Sequence, residues 1–226
     1  MKKSTVIILA GITGLLATLT AANLKLSSEY KQGKVGSYYT AQMLPVFHNI
    51  KELGINEEDL DYYKMITIRQ QKDSSAVLYE YYSSLNLIFK VENDTLFIIP
   101  DTKRKKRMNE RYLTILCPEL KSLSGIRSSF TIDKMKTDSL SLIADKQSQI
   151  SFTNGQITTL SVVADSLANV SVTSSDTIAY AAIQLKGFSS FKAQDAIILN
   201  RKLQLSSGSI LSLSGRSLEN FGIKKN

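Results

Sequence analysis

From about Leu120 onward the chain repeats itself every 20 residues. Phe130, Ile150, Val170, Phe191 and Leu211 form one apolar column; Ile132, Phe152, Val172, Ala193 and Leu213 form another just beside it. A further set sits about half a period away. It reads Leu140, Leu160, Ala181 and Arg201, then Leu142, Val162, Ile183 and Leu203, then Ala144, Ala164, Leu185 and Leu205. Arg201 is the one position that is not apolar. One step is 21 residues long, and both sets slip together there, so a single extra residue lies within Thr173–Ala179.

Inside each set the alternation has period two, as in a strand whose successive side chains point to opposite faces. Strands recurring at a fixed interval predict a parallel β-solenoid, in which each coil adds one rung and like residues stack on like. About five coils over residues 120–215, spaced about 4.8 Å apart, make a rod roughly 24 Å long. Proline is absent after Pro118, as the ladders require, because proline cannot donate to the next coil. A sandwich of hairpins would need many two-residue turns, and Asn154-Gly155 is the one good instance. The row between the first two columns, Thr131, Ser151, Ser171, Lys192 and Ser212, points outward and is a candidate polar ligand face.

Residues 47–119 carry short candidate strands without that period: Phe47–Ile50, Lys64–Arg69, Ala76–Tyr82, Leu85–Val91 and Thr95–Ile99, with Asn93-Asp94 as a hairpin turn. They predict a small antiparallel region capping one end of the solenoid. The tail, residues 216–226, would blunt the other, since open sheet edges invite aggregation. Between the two β parts runs Lys103-Arg104-Lys105-Lys106-Arg107, a solvated loop or a contact for an anionic surface. The net charge of +8 is therefore concentrated in one loop more than spread as a field.

Residues 4–24 contain no charge and follow Lys2 and Lys3. As a helix they rise about 31 Å, enough to span a bilayer core. An uncleaved anchor over residues 1–24 is expected, with residues 25–46 as a juxtamembrane linker and the rest outside the cytoplasm, in the periplasm or envelope. A cleaved signal is the alternative, with Thr20 and Ala22 flanking a permissible site.

One cysteine, one histidine and no tryptophan leave little material for catalysis. A disulfide, a Cys-rich metal site and a His-based triad are excluded or disfavoured. Neither cofactor nor metal is expected. Cys117, beside Pro118, reads as a buried apolar residue, and His48 as a surface or partly buried strand residue. Tyr62, Tyr63, Tyr79, Tyr81 and Tyr82 read as strand-pairing residues or an aromatic face. Asp145 and Asp165 fall at equivalent positions of adjacent coils, with Lys186 next. They read as turn caps, or as an acid/base pair acting on a polysaccharide.

Several segments resemble the putative auto-transporter adhesin head GIN domain family of Bacteroidetes-type envelope proteins. Pro45–Ile50 is similar to its opening strand, and Val91–Ile98 to its V-x-N-D-T-L-x-I hairpin. Residues 113–123 are similar to its V-x-I-x-x-P-x-L-K-x-L entry to the solenoid, and Ser207-Gly208-Ser209 to its coil turns. The earlier turns, Ser128-Ser129 and Gln147-Ser148-Gln149, lack the family's glycines. The resemblance covers roughly Leu44–Gly215 and implies a solenoid and adhesion, with no catalytic residues to carry over. The combined expectation is a non-enzymatic, membrane-anchored envelope protein that binds a glycan, another polymer or a protein. Nucleic acid is not expected as a partner. A solenoid-type carbohydrate-active enzyme using Asp145 and Asp165 is the alternative.

Overall fold

The computed structural model describes residues 18, 20, 23–25, 39–53, 65–80, 87–100 and 113–219. The chain divides into two compact units, Met1–Tyr38 and Tyr39–Asn226. In the first, residues 18, 20 and 23–25 are helical. No helix among the described residues is long and apolar enough to cross a membrane, and most of the expected anchor over residues 4–24 lies outside them.

Among the described residues the second unit is all-β apart from a one-turn helix, α1 (Arg216–Glu219). The expected solenoid is present. Five successive coils are built from β8 (Ser122–Ile126) with β9 (Ser129–Asp133), β10 (Lys136–Asp145) with β11 (Gln149–Thr153), and β12 (Gln156–Ala164) with β13 (Asn169–Thr173). β14 (Thr177–Leu185) with β15 (Ser190–Gln194) and β16 (Ile197–Leu205) with β17 (Ile210–Ser214) complete them. Even-numbered strands form one sheet and odd-numbered strands the other, all parallel. The register follows the sequence period: Phe130 pairs with Ile150, Ile150 with Val170, Val170 with Phe191 and Phe191 with Leu211. The extra residue sits in the turn Ser174–Asp176, where the equivalent turns Lys134-Met135, Asn154-Gly155 and Asp195-Ala196 have one fewer.

The upstream strands differ from expectation. β2 (Asn49–Glu52) is parallel to both β6 (Thr95–Pro100) and β8 and lies between them. β3 (Met65–Gln70) lies likewise between β7 (Leu113–Cys117) and β9, parallel to both. These four strands are rungs of the solenoid, so the antiparallel part shrinks to its end. There β5 (Leu87–Glu92) pairs antiparallel with β6, β4 (Ser75–Glu80) with β7, and β1 (Tyr39–Leu44) with β4. β1 also replaces part of the expected linker: its backbone is taken up by β4, while side chains such as Met43 stay exposed, as suits an edge strand. The chain's first parallel coil, β2–β3, is thus threaded between β6–β7 and β8–β9, which come later in the sequence.

The core runs between the two sheets. Phe47, Ile50, Ile66, Ile68, Leu96, Ile115, Leu123 and the inward columns up to β15 are fully buried. Large rings occupy space left by glycine: a Cβ on Gly155 would lie 2.4 Å from Phe152 Cζ, and one on Gly125 would lie 2.8 Å from Phe130 Cε2. Buried serines take up carbonyls of the preceding coil at the corners. Ser148, Ser174, Ser189 and Ser217 donate from Oγ to the carbonyls of Gly125, Gly155, Ala164 and Ala196 at 2.8–2.9 Å, satisfying acceptors that burial would otherwise leave unpaired.

The far end is more open. In the last coil Arg201 is exposed and Leu203, Leu211 and Leu213 are only partly buried. A cation in a core column discourages another chain from adding to this edge. The tail contributes α1, whose Ser217 is buried; residues 220–226 lie outside the described residues.

Candidate functional site

The outward row predicted on the odd-numbered sheet exists and is longer than expected. Thr131, Ser151, Ser171, Lys192 and Ser212 occupy successive rungs in register. Thr67 pairs with Thr131, and Thr114 with Thr67, which extends the row to seven rungs. Every member but Lys192 carries a hydroxyl. Ser171 Oγ donates to Ser151 Oγ at 3.1 Å. Rows to either side are mainly uncharged and polar. On one, Ser190 Oγ donates to Asn169 Oδ1 at 2.5 Å; on the other stand Thr153, Thr173 and Gln194. The charges on these flanking rows, Arg69 and Asp133, pair with each other at 3.3 Å. The solenoid therefore presents an ordered sheet face of donors and acceptors with a repeat of about 4.8 Å along its axis.

Asp145 and Asp165 stand on adjacent coils as expected, and both are committed to their turns. Asp145 Oδ1 accepts from Lys146 N, and Asp165 Oδ1 from Ser166 N, each at 2.7 Å. Gly187, at φ 53°, leaves the room that the Asp165 carboxylate fills; a Cβ there would lie 2.4 Å from Asp165 Oδ1. Ser166 Oγ also donates to Asp165 Oδ1 at 3.4 Å; this is turn chemistry.

His48 is 28% exposed, and its Nδ1 lies 2.7 Å from Asp94 Oδ1. The Asp94 carbonyl accepts from the backbone N–H groups of His48 and Asn49, Asn49 Nδ2 donates to Asp94, and Ser122 Oγ donates to Asn49 Oδ1. This network ties the hairpin turn to the threaded strand β2, a role that sequence reasoning missed. Cys117 is buried, and desolvation pushes its thiol up to about 12, so it stays protonated and unreactive near neutrality. Tyr79 packs against the core from β4. Tyr62, Tyr63, Tyr81, Tyr82 and the basic run Lys103–Arg107 lie outside the described residues.

A second feature was not legible in the sequence. A polar groove of about 590 Å³ opens beside the N-terminal ends of β10, β12 and β14. Its walls include Glu119, Asp138, Asp176, Gln156, Thr158 and Thr177. They come from separate coils, so no linear motif marks them. Among the described residues no cluster of side chains suits a metal ion.

No family model and no curated protein matches the chain. Solved structures do. The chain is similar to a protein described as a putative adhesin from Bacteroides fragilis NCTC 9343, at 15% identity and a TM-score of 0.48, over 78% of this chain and 95% of that one. It is similar to a protein described as a putative lipid binding protein from Parabacteroides distasonis ATCC 8503, at 14% identity and a TM-score of 0.42, over 77% and 96% of the two chains. A third, described as a putative adhesin from Parabacteroides merdae ATCC 43184, has 10% identity and a TM-score of 0.38 over 77% and 95%.

Proposed function

We propose that the chain is a non-enzymatic envelope protein, held at the membrane by residues 4–24, whose solenoid binds an extended polymer or a protein partner outside the cytoplasm. The observation that carries this reading is the seven-rung outward row from Thr114 through Thr67 and Thr131 to Ser212. A periodic face of half-buried hydroxyls and amides offers the same contact at each rung, so a repetitive ligand gains affinity through many weak bonds. The commitment of Asp145 and Asp165 to their turns favours binding over hydrolysis. Lys103–Arg107 would add contact to an anionic surface.

The test is a pull-down of envelope polysaccharides and envelope proteins by the full chain. Replacing Ser151 and Ser171 with glutamate should abolish capture while leaving the far-ultraviolet spectrum unchanged. Capture unaffected by those changes would exclude the face as the binding surface.

A further inference from the structure

From β10 onward the 20-residue step is broken once, between β12 and β14, and the groove reaches that break. On either side the ladders start at the first residues of the strands: β10 and β12 pair from Lys136↔Gln156, and β14 and β16 from Thr177↔Ile197. Between β12 and β14 pairing begins only at Thr159↔Tyr180. Gln156–Thr158 and Thr177–Ala179 are thus left out of the ladder that would join them. The cause is local. The extra residue in Ser174–Asp176 lengthens that turn, and Ser174 Oγ, accepting from Asp176 N at 3.1 Å, folds it back on itself. A bulge-like insertion weakens a sheet, and such departures concentrate at working sites.

The opening has the size of a small-molecule site, within the usual range of about 300–1,000 Å³. Gln156 and Thr158 on one wall and Thr177 on the other are exposed. Each offers a group able to donate and accept. Asp138 and Asp176 add acceptors, while Glu119 already accepts from Thr137 Oγ1 at 3.2 Å. Lys136 is the one cation in the lining, so carboxylates outnumber it and an anionic ligand is disfavoured. Little apolar surface is offered: Ile157 is the only large apolar lining residue and is 4% exposed. An apolar peptide anchor would find no pocket there. Vicinal hydroxyls, each donor and acceptor at once, match this wall chemistry.

We propose that the groove beside the N-terminal ends of β10, β12 and β14 binds a neutral saccharide unit through its hydroxyls. This site is separate from the outward row of the odd-numbered sheet, and its failure would leave that reading standing.

The experiment is ligand-observed NMR titration of the full chain with N,N′-diacetylchitobiose and with lactose. Glucuronic acid serves as the anionic arm and tri-lysine as the cationic one. Two variants accompany it. Deletion of Ser175 restores the two-residue turn and the 20-residue step, and should close the groove. The double substitution Gln156→Ala and Asp176→Ala keeps the turn length and removes wall contacts. At least one neutral disaccharide should bind, and each folded variant should weaken it about tenfold or more. Should the deletion fail to fold, the double substitution alone decides. Changing Ser151 and Ser171 should not alter this binding. The proposal is overturned by equal binding in the folded variants, or by no neutral saccharide binding to the unaltered chain. Capture of tri-lysine in place of sugar, lost on adding salt, would equally overturn it, since it would mark the groove as a cation-attracting acidic surface.

Discussion

The coils after Ser122 and the coil formed by β2 and β3 share one geometry and reach it by opposite routes. From β10 onward each strand stacks on the one written a single period before it, as Ile150 does on Phe130. In the threaded coil Ile66 pairs with Leu113 on one side and Phe130 on the other, partners that lie far downstream. The core treats the two alike, for Ile66 and Ile150 are both fully buried. Periodicity is thus a way of writing a solenoid, while the physical requirement is an apolar residue facing inward at each rung and a free ladder on each side. The threaded coil meets that requirement at the cost of long loop closures, whose entropy grows slowly with length.

If the threaded coil is integral to the cooperative unit, truncating it should unfold everything. Ile68→Ala, at a fully buried position, should cost about 2–5 kcal/mol and lower one common transition seen by both calorimetry and circular dichroism. Leu213→Ala, in the partly buried last coil, should cost less and fray that coil alone, visible in hydrogen exchange. Two separate transitions for Ile68→Ala would show that the coils after Ser122 stand by themselves.

Within the periodic coils the expected weak point is packing against the backbone. A Cβ on Gly155 would lie 2.3 Å from the Met135 carbonyl oxygen, so Gly155→Ala should cost about 1–3 kcal/mol through overpacking, measured by urea denaturation. A neutral result would mean that the turn relaxes freely. On the threaded side Asp94→Ala removes the acceptor shared by His48 and Asn49 side chains. A loss of about 1–2 kcal/mol is expected, with protection from exchange falling first in β2. The smallest effect concerns Cys117 on β7, buried in the capped end. Its labelling by a thiol reagent should proceed no faster than global unfolding, and faster labelling would reveal local opening there.

The sequence made the periodic half readable almost residue by residue. The columns through Phe130 and Leu140 are the core, and the slip within Thr173–Ala179 is the turn Ser174–Asp176. The turn at Asn93-Asp94 was legible from chemistry, since both residues adopt positive φ, 48° and 61°, as a tight hairpin turn of this kind requires. Threading was not legible. Nothing in NIKE or MITIRQ states which strands will flank them, because pairing across long separations leaves no spacing to count. The same blindness hid Thr67 and Thr114 from the outward row. The groove escaped for a related reason: Glu119, Asp138 and Asp176 converge only through the stacking of coils that a linear reading treats as copies.

Threading also changes how the fold would bear load. A solenoid pulled by a terminal rung opens like a zipper, with one ladder under tension at a time. Here traction entering from the N-terminal side first meets β1, paired along one edge with β4. It then reaches β2, gripped along both edges by β6 and β8. Further extension must shear two ladders together, and through the hairpin network at Asp94 it drags a third strand with them. The early coil acts as a mortised joint. Its place in the middle of the stack sets a mechanical threshold that a simple end-to-end repeat of the same coils would lack.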